Sequence, residues 1–216
     1  MALASTDQPS AEVAPETEAT TLALALEQIA ARAGELDEQP RFPQQNIDSL
    51  KRAGVVQLAA DRSRCDLPQE IALVRAVAGA DASTARILDG HFNGVERMAL
   101  EAPGELRERD LHEIERGELL LGVWGADPVG AEGPPARIER VDGGALVLRG
   151  VKTFCSGAGG VQRALVVARD EYERRRLVYI DAESQLSIDR EWYRGSGLRS
   201  SESHRVSFLD LSLIHI

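Results

Sequence analysis

Val123-Trp124-Gly125-Ala126-Asp127-Pro128 and, one hairpin later, Gly150-Val151-Lys152-Thr153-Phe154-Cys155-Ser156 are the two pieces of sequence that decide the fold. The first closes the apolar run Leu119–Trp124, and glycine and proline between Gly125 and Gly130 then stop any regular element. A strand running into a loop is expected. Arg137–Val141 and Ala145–Leu148 flank Asp142-Gly143-Gly144, residues that accept positive φ, so this middle section reads as a β-hairpin. The second piece sets an aromatic and two small polar residues ahead of the glycine turn Gly157–Gly160, where backbone donors can approach a flat ligand closely.

Upstream of this stretch the hydrophobic period is helical. Thr20 or Thr21 caps a first helix through Leu22, Leu26, Ile29, Ala33 and Leu36, ended by Asp37 to Pro40. Pro43 opens a second through Ile47, Leu50 and Ala53, stopping at Gly54. Val55–Ala59 is expected to be extended, and Asp61–Asp66 to be a polar loop. Pro68 starts a third helix with Ile71, Val74 and Ala78 on one side. Asp81 or Ser83 caps a fourth through Ile87, Leu88, Phe92, Val95 and Met98, and Glu105–Gly117 is a charged fifth. From about Leu119 the period drops to two, and Ala164–Arg169, Arg176–Ile180 and Val206–Leu209 read as strands.

Helices first and strands second is an α+β order: an N-terminal α-helical domain over 19–118, then an antiparallel β-barrel-like domain over 119–211. Residues 1–18 have the makeup of a disordered tail. The apolar end 212–216 has no turn chemistry and is expected to be a non-native extension.

The chain has 216 residues, 43% hydrophobic and 28% charged, which suits a folded core. A net charge of −10 argues against a nucleic-acid partner, because neutralising phosphates needs a basic face. No apolar run is long enough for a membrane span, and the start lacks the regions of a signal peptide, so the expected compartment is the cytoplasm. Cys65 and Cys155 lie far apart without metal-ligand spacing and read as free thiols. Of 25 basic residues only Lys51 and Lys152 are lysine, which singles out Lys152.

Ala126-Asp127-Pro128, the hairpin and Gly150–Ser156 together resemble the middle domain of the acyl-CoA dehydrogenase superfamily. There Thr-Glu-Pro, Gly-Ser-Asp, a hairpin and Gly-x-Lys-x-(Trp/Phe)-x-(Thr/Ser) follow in that order. Gly197-Leu198-Arg199-Ser200-Ser201-Glu202-Ser203 and Val206–Asp210 resemble its later strand pair. Arg41-Phe42-Pro43, Ala53-Gly54-Val55, Ala80–Ala85, His91 and Arg116-Gly117-Glu118 resemble its helical domain, whereas Asp61–Asp66 departs from the usual Pro-x-x-x-Gly-Gly turn. The resemblance covers about Leu22 to Leu211. The family continues into a third, all-α domain that covers the flavin and often supplies the base. On that resemblance the chain is truncated before it, inactive as a fragment and a homo-oligomer when complete.

The resemblance implies a dehydrogenase acting on CH–CH groups with FAD and a small-molecule substrate, an acyl-CoA in the family's usual chemistry. By position, Val123, Trp124, Gly125 and Ala126 line one part of the isoalloxazine, and Phe154, Cys155 and Ser156 cover another. Ala126 replaces the family's threonine and loses a hydroxyl. Glu132 stands at the family's serine beside the thioester and pyrophosphate, where an anion repels a polyanionic substrate. Phe154–Ala158, Trp192 and Gly197–Ser201 also resemble dibenzothiophene monooxygenase and related two-component enzymes. These use reduced FMN or FAD supplied by a reductase, and His91 and Ser156 match their residues beside the reactive edge of the flavin. Each has a plainer role available: His91 as a core histidine, Ser156 as a turn residue, Cys155 as a small buried hydrophobe. A non-catalytic remnant is the third possibility.

Overall fold

The computed structural model describes residues 15–141, 143–183 and 186–213. Among these residues five α-helices precede seven strands. Helix α1 (Pro15–Glu38) begins ahead of the expected threonine cap and buries Ala25, Ile29 and Leu36. Pro15 to Glu18, expected in the tail, are therefore helical, and the rest of that tail lies outside the described residues. Helix α2 (Gln44–Arg52) follows Pro43 and buries Ile47 and Leu50, and Gly54 turns the chain with φ +72°.

Two local expectations fail for identifiable reasons. Val55–Ala59 is not extended: Leu58 N–H bonds Val55 O and Ala59 N–H bonds Val56 O, winding the segment into a 3₁₀ turn over Gln57–Ala60. Helix α3 (Leu67–Ala80) starts as expected, with Asp66 and Gln69 forming a capping box around Pro68. Its buried positions, however, are Glu70 and Val77, while Ile71 and Ala78 are exposed. A carboxylate ion-paired to Arg62 sits in the buried stripe and masks it from a hydrophobicity count.

Helix α4 (Ala82–Glu101) is capped by Asp81, whose carboxylate accepts from Ser83 N at 3.3 Å and Thr84 N at 2.8 Å. It is the central helix of the core. Gly94 lets it lie against the sheet, since a Cβ there would come 3.0 Å from Leu121 Cβ. Helix α5 is Gly104–Glu115.

The strands are β1 (Leu121–Trp124), β2 (Arg137–Arg140), β3 (Leu146–Cys155), β4 (Arg163–Arg169), β5 (Arg175–Asp181), β6 (Ser187–Asp189) and β7 (His204–Ser212). They form one sheet in the order β1-β4-β2-β3-β7-β6, with β5 on β4. The α+β class holds, but the sheet is mixed: β4 pairs parallel with β1 and, at one register, with β2. The β2–β3 hairpin intervenes between β1 and β4, so the chain returns in the same direction; the remaining pairings are antiparallel. Strand β7 runs one residue past the expected boundary. Ser212 pairs with Val147 and Leu213 N–H bonds Leu146 O at 3.0 Å, and 214–216 lie outside the described residues.

Helices and sheet share one core. Phe92, Val95 and Met98 of α4 cluster with Leu119–Leu121, Trp124 and Phe208. Among the described residues no helix is long and apolar enough to cross a membrane.

Candidate functional site

Strand β1 ends where β3 ends. Thr153 N–H donates to Ala126 O at 3.1 Å, making an antiparallel bridge between the loop after β1 and the last turn of β3. Thr153 Oγ1 bonds Asp127 O at 3.3 Å, and Trp124 Nε1–H donates to Ser156 O at 3.1 Å. Lys152, 1% exposed, adds bonds from Nζ to Gly125 O at 3.1 Å and Asp127 Oδ1 at 2.6 Å. The two sequence pieces thus meet over Trp124–Asp127 and Lys152–Ser156.

The strand irregularities that bring them together have local causes. At Gly150, φ is +106°, and a Cβ would fall 2.5 Å from Pro135 O. Only glycine lets β3 pass so close to the loop before β2. A second register shift against β7 falls between Lys152 and Cys155. A bulge re-aims the side chain at its turn: Phe154 takes φ +52° and points outward, 54% exposed, between buried Thr153 and Cys155. Its ring meets Trp192 edge-on at 4.8 Å and Tyr193 at 6.2 Å.

Six of the seven residues expected along the ring therefore separate into two sets. Gly125, Ala126 and Phe154 are exposed beside one another, with Val123 half-buried and its side chain turned toward α4 at Gly94. Trp124 and Cys155 point inward at 0% exposure, so their side chains belong to the core. Burial pushes the Cys155 thiol well above its ordinary pKa. Cys65 is likewise a buried free thiol.

Ser156 is 7% exposed and heads a line of hydroxyls: its Oγ lies 2.8 Å from Ser203 Oγ, which lies 2.7 Å from Ser201 Oγ, which donates to Leu198 O at 2.7 Å. A carbonyl only accepts, so the Ser201 proton goes to Leu198, the Ser203 proton to Ser201 and the Ser156 proton to Ser203. Ser156 is left with free lone pairs.

Glu132 is an anion with both carboxylate oxygens engaged. Its Oε1 accepts from Trp192 Nε1 at 2.8 Å and its Oε2 from Val129 N at 3.0 Å. The backbone bond first, then the indole bond, hold its carboxyl below the ordinary range. It seats Trp192 against Phe154. His91 is similarly committed. It is fully buried, Nδ1 accepts from Leu121 N at 3.1 Å, and Nε2 lies 3.1 Å from Val56 O, so Nε2 carries the proton. Burial pushes its pKa down to about 4. The matching role beside a flavin does not fit a ring whose two nitrogens join α4, β1 and the 3₁₀ turn.

The lysine that stood out by composition proves to be the tie between the two pieces, but its partner Asp127 carried no signal beyond its place in Ala-Asp-Pro. Ser201 and Ser203, quoted for the resemblance, had no stated role. A cavity of about 1010 Å³ opens between the 40–42 turn and the 190–204 segment, lined by Arg41, Arg190, Arg194 and Arg199, none of them expected from the sequence to bind a ligand. The recurrence of arginine at 190, 194 and 199 in an acidic chain was the available signal. Among the described residues no group of His, Cys, Asp and Glu could hold a metal ion.

No family model matches the sequence, and no curated protein is detectably similar to it. Solved structures are similar. FMN-bound TdsC from Paenibacillus sp. A11-2, a dibenzothiophene monooxygenase, superposes with TM-score 0.78 at 20% identity, covering 91% of this chain and 52% of that one. Nitrososynthase from Micromonospora carbonacea var. africana gives 0.78 at 20% identity over 95% and 56%. Methanesulfinate monooxygenase MsuC from Pseudomonas fluorescens gives 0.71 at 21% over 93% and 51%. The chain spans about half the length of these proteins. Helical layer, curled mixed sheet and the junction of β1 with β3 together give the protein the acyl-CoA dehydrogenase-like fold, shared with these three over more than nine-tenths of its length.

Proposed function

We propose that the chain forms the flavin-binding wall of a two-component flavin-dependent monooxygenase, taking reduced FMN or FAD from a separate reductase and oxidising a small molecule with oxygen. One observation carries this: the exposed pair Gly125-Ala126 is bridged through Ala126 to Thr153, whose neighbour Phe154 is an outward-turned aromatic braced by Trp192. The residues fit a flat ring. The largest side chain on the Gly125-Ala126 edge is a methyl group, and Phe154 stands beside it as an apolar flank. FMN in TdsC, a protein of the same fold, adds support.

A bound flavin supplies the redox chemistry with oxygen. The chain's own part is placement. Lys152 and Asp127 hold the loop edge against β3, the Glu132 carboxylate locks Trp192 behind Phe154, and the serine line commits the Ser156 proton to Ser203, which leaves its oxygen to act as an acceptor. The same features weigh against acyl-CoA dehydrogenation with FAD. Glu132 stays anionic where phosphates of a CoA ester would lie, and Ala126 lacks the hydroxyl of the dehydrogenase threonine. The cofactor-facing set is accordingly Gly125, Ala126, Phe154 and Ser156, with Val123, Trp124 and Cys155 contributing backbone. A homo-oligomer is the expected state of the whole protein.

The test uses the complete reading frame. Oxygen uptake driven by NADH, a flavin reductase and FMN supports the monooxygenase, whereas bleaching of bound flavin by acyl-CoA supports the dehydrogenase. A colourless protein that takes up no FMN leaves the non-catalytic remnant.

A further inference from the structure

We infer that the cavity between the 40–42 turn and the 190–204 segment is a second site, one that binds a phosphoryl group between Arg194 and His204. The inference needs no flavin. None of Val123, Gly125, Ala126, Phe154 or Ser156 lines this cavity, and only Tyr193 connects it with the aromatic cluster.

The charge balance is the first observation. A chain of net charge −10 places four guanidinium groups, Arg41, Arg190, Arg194 and Arg199, around one cavity with a single carboxylate, Glu202. Arg41 is neutralised by Glu35 and Arg190 by Glu202 at 2.6 Å. Among the described residues Arg194 and Arg199 have no carboxylate partner; Arg194 bonds only Glu191 O through Nε, at 3.2 Å, and Arg199 bonds Asp37 O. The terminal nitrogens of Arg194 thus remain available, in the fork geometry that matches an oxoanion.

Independent of charge, His204 lines the same cavity at 5% exposure with neither ring nitrogen in a hydrogen bond. Nε2 approaches Glu202 Oε2 to 3.0 Å but outside hydrogen-bond geometry, and Nδ1 has no partner among the described residues. A buried ring nitrogen without a partner, here Nδ1, is costly unless something completes it. A phosphoryl group offers acceptors to Nδ1 and to the Arg194 fork together. Gly159 shapes the seat: it has φ +89°, and a Cβ there would come 2.4 Å from Arg190 Nη2.

The experiment titrates the intact protein with inorganic phosphate, with chloride at matched ionic strength as control. The His204 ring resonances are followed by NMR and heat by calorimetry. Saturable binding that shifts the His204 resonances, absent with chloride, is expected. Arg194→Ala, which breaks no contact between elements, should weaken it about tenfold, the loss of one charge-assisted bond, without changing the melting temperature of the phosphate-free protein. His204→Gln should weaken it similarly; if that variant misfolds, Arg194→Ala carries the test. Comparing FMN with riboflavin then identifies the source. An FMN preference abolished by Arg194→Ala assigns the phosphoryl group to the flavin, and equal binding of the two alongside intact phosphate binding assigns it to a substrate. A phosphate response indistinguishable from chloride, or one unchanged in Arg194→Ala, overturns the site.

Discussion

Lys152 Nζ lies 2.6 Å from Asp127 Oδ1, and through this pair the last turn of β3 is fastened to the loop leaving β1. The lysine is buried and its partner is about one-third exposed. Lys152→Met removes two bonds from a charged donor and leaves Gly125 O unpaired, so a loss of about 1–3 kcal/mol is expected in urea unfolding. The lower part of that range applies, because solvent and Arg169, 3.5 Å away, also serve Asp127.

The same pair has a pH signature. Burial works to raise the Asp127 carboxyl, but the Lys152 bond and the charges of Lys152 and Arg169 outweigh it and hold the group below its ordinary 3.8. Its contribution to stability is complete above that ordinary value and disappears as pH falls through the lowered one. Acid titrations of stability should show a shallower loss in Lys152→Met than in the parent protein.

For His91, a folded pKa of about 4 against an ordinary 6.5 means the unfolded chain binds the extra proton. Stability should rise with pH between those values, at up to about 1.4 kcal/mol per unit, and be flat above them. His91→Phe leaves the buried Leu121 N–H unpaired, at a cost of about 1–3 kcal/mol, and removes one of the two bonds that Val56 O accepts, the other coming from Ala59 N–H. It should lower the melting temperature while FMN affinity per folded molecule stays unchanged; a kcat loss with stability intact would contradict the positioning role.

Phe154 holds a left-handed backbone that costs a non-glycine residue about 1–2 kcal/mol. Phe154→Gly should relieve that strain and forfeit the exposed edge contact with Trp192, with little net change in melting temperature. Flavin affinity should fall about tenfold, the worth of one aromatic contact of about 1.4 kcal/mol. Fluorescence titration with FMN checks this.

Tyr179 Oη donates to Asp110 Oδ2 at 2.6 Å, joining β5 to α5, and Arg109 Nε holds the other oxygen at 2.7 Å. Burial, then the Asp110 bond, push the phenol above its ordinary pKa. Tyr179→Phe strips one donor from a fully buried carboxylate and should cost about 1.5–3 kcal/mol in denaturant unfolding.

Much of this architecture was readable because its determinants are local. The cap at Asp81, the break at Gly54 and the hairpin glycines at 143 and 144 act within a few residues of where they stand. What escaped was cooperative. The stripe of α3 could not be found from apolar residues when Glu70, paired to Arg62, occupies it. The 3₁₀ turn after Val56 depends on packing that alternation does not record, and Val56 O is itself held by His91.

By itself the sequence determined that five amphipathic helices precede a set of strands, and that a proline turn and a glycine-lysine strand flank one hairpin. Those are consequences of backbone preference and hydrophobic period, which neighbours along the chain settle. Only the tertiary structure decided that β4 returns parallel to β1, that Trp124 and Cys155 face inward while Phe154 faces out, and that arginines from two distant segments surround one cavity. Each of these depends on groups far apart in sequence competing for the same buried volume or the same hydrogen-bond partner, and that competition is resolved only when the chain is packed.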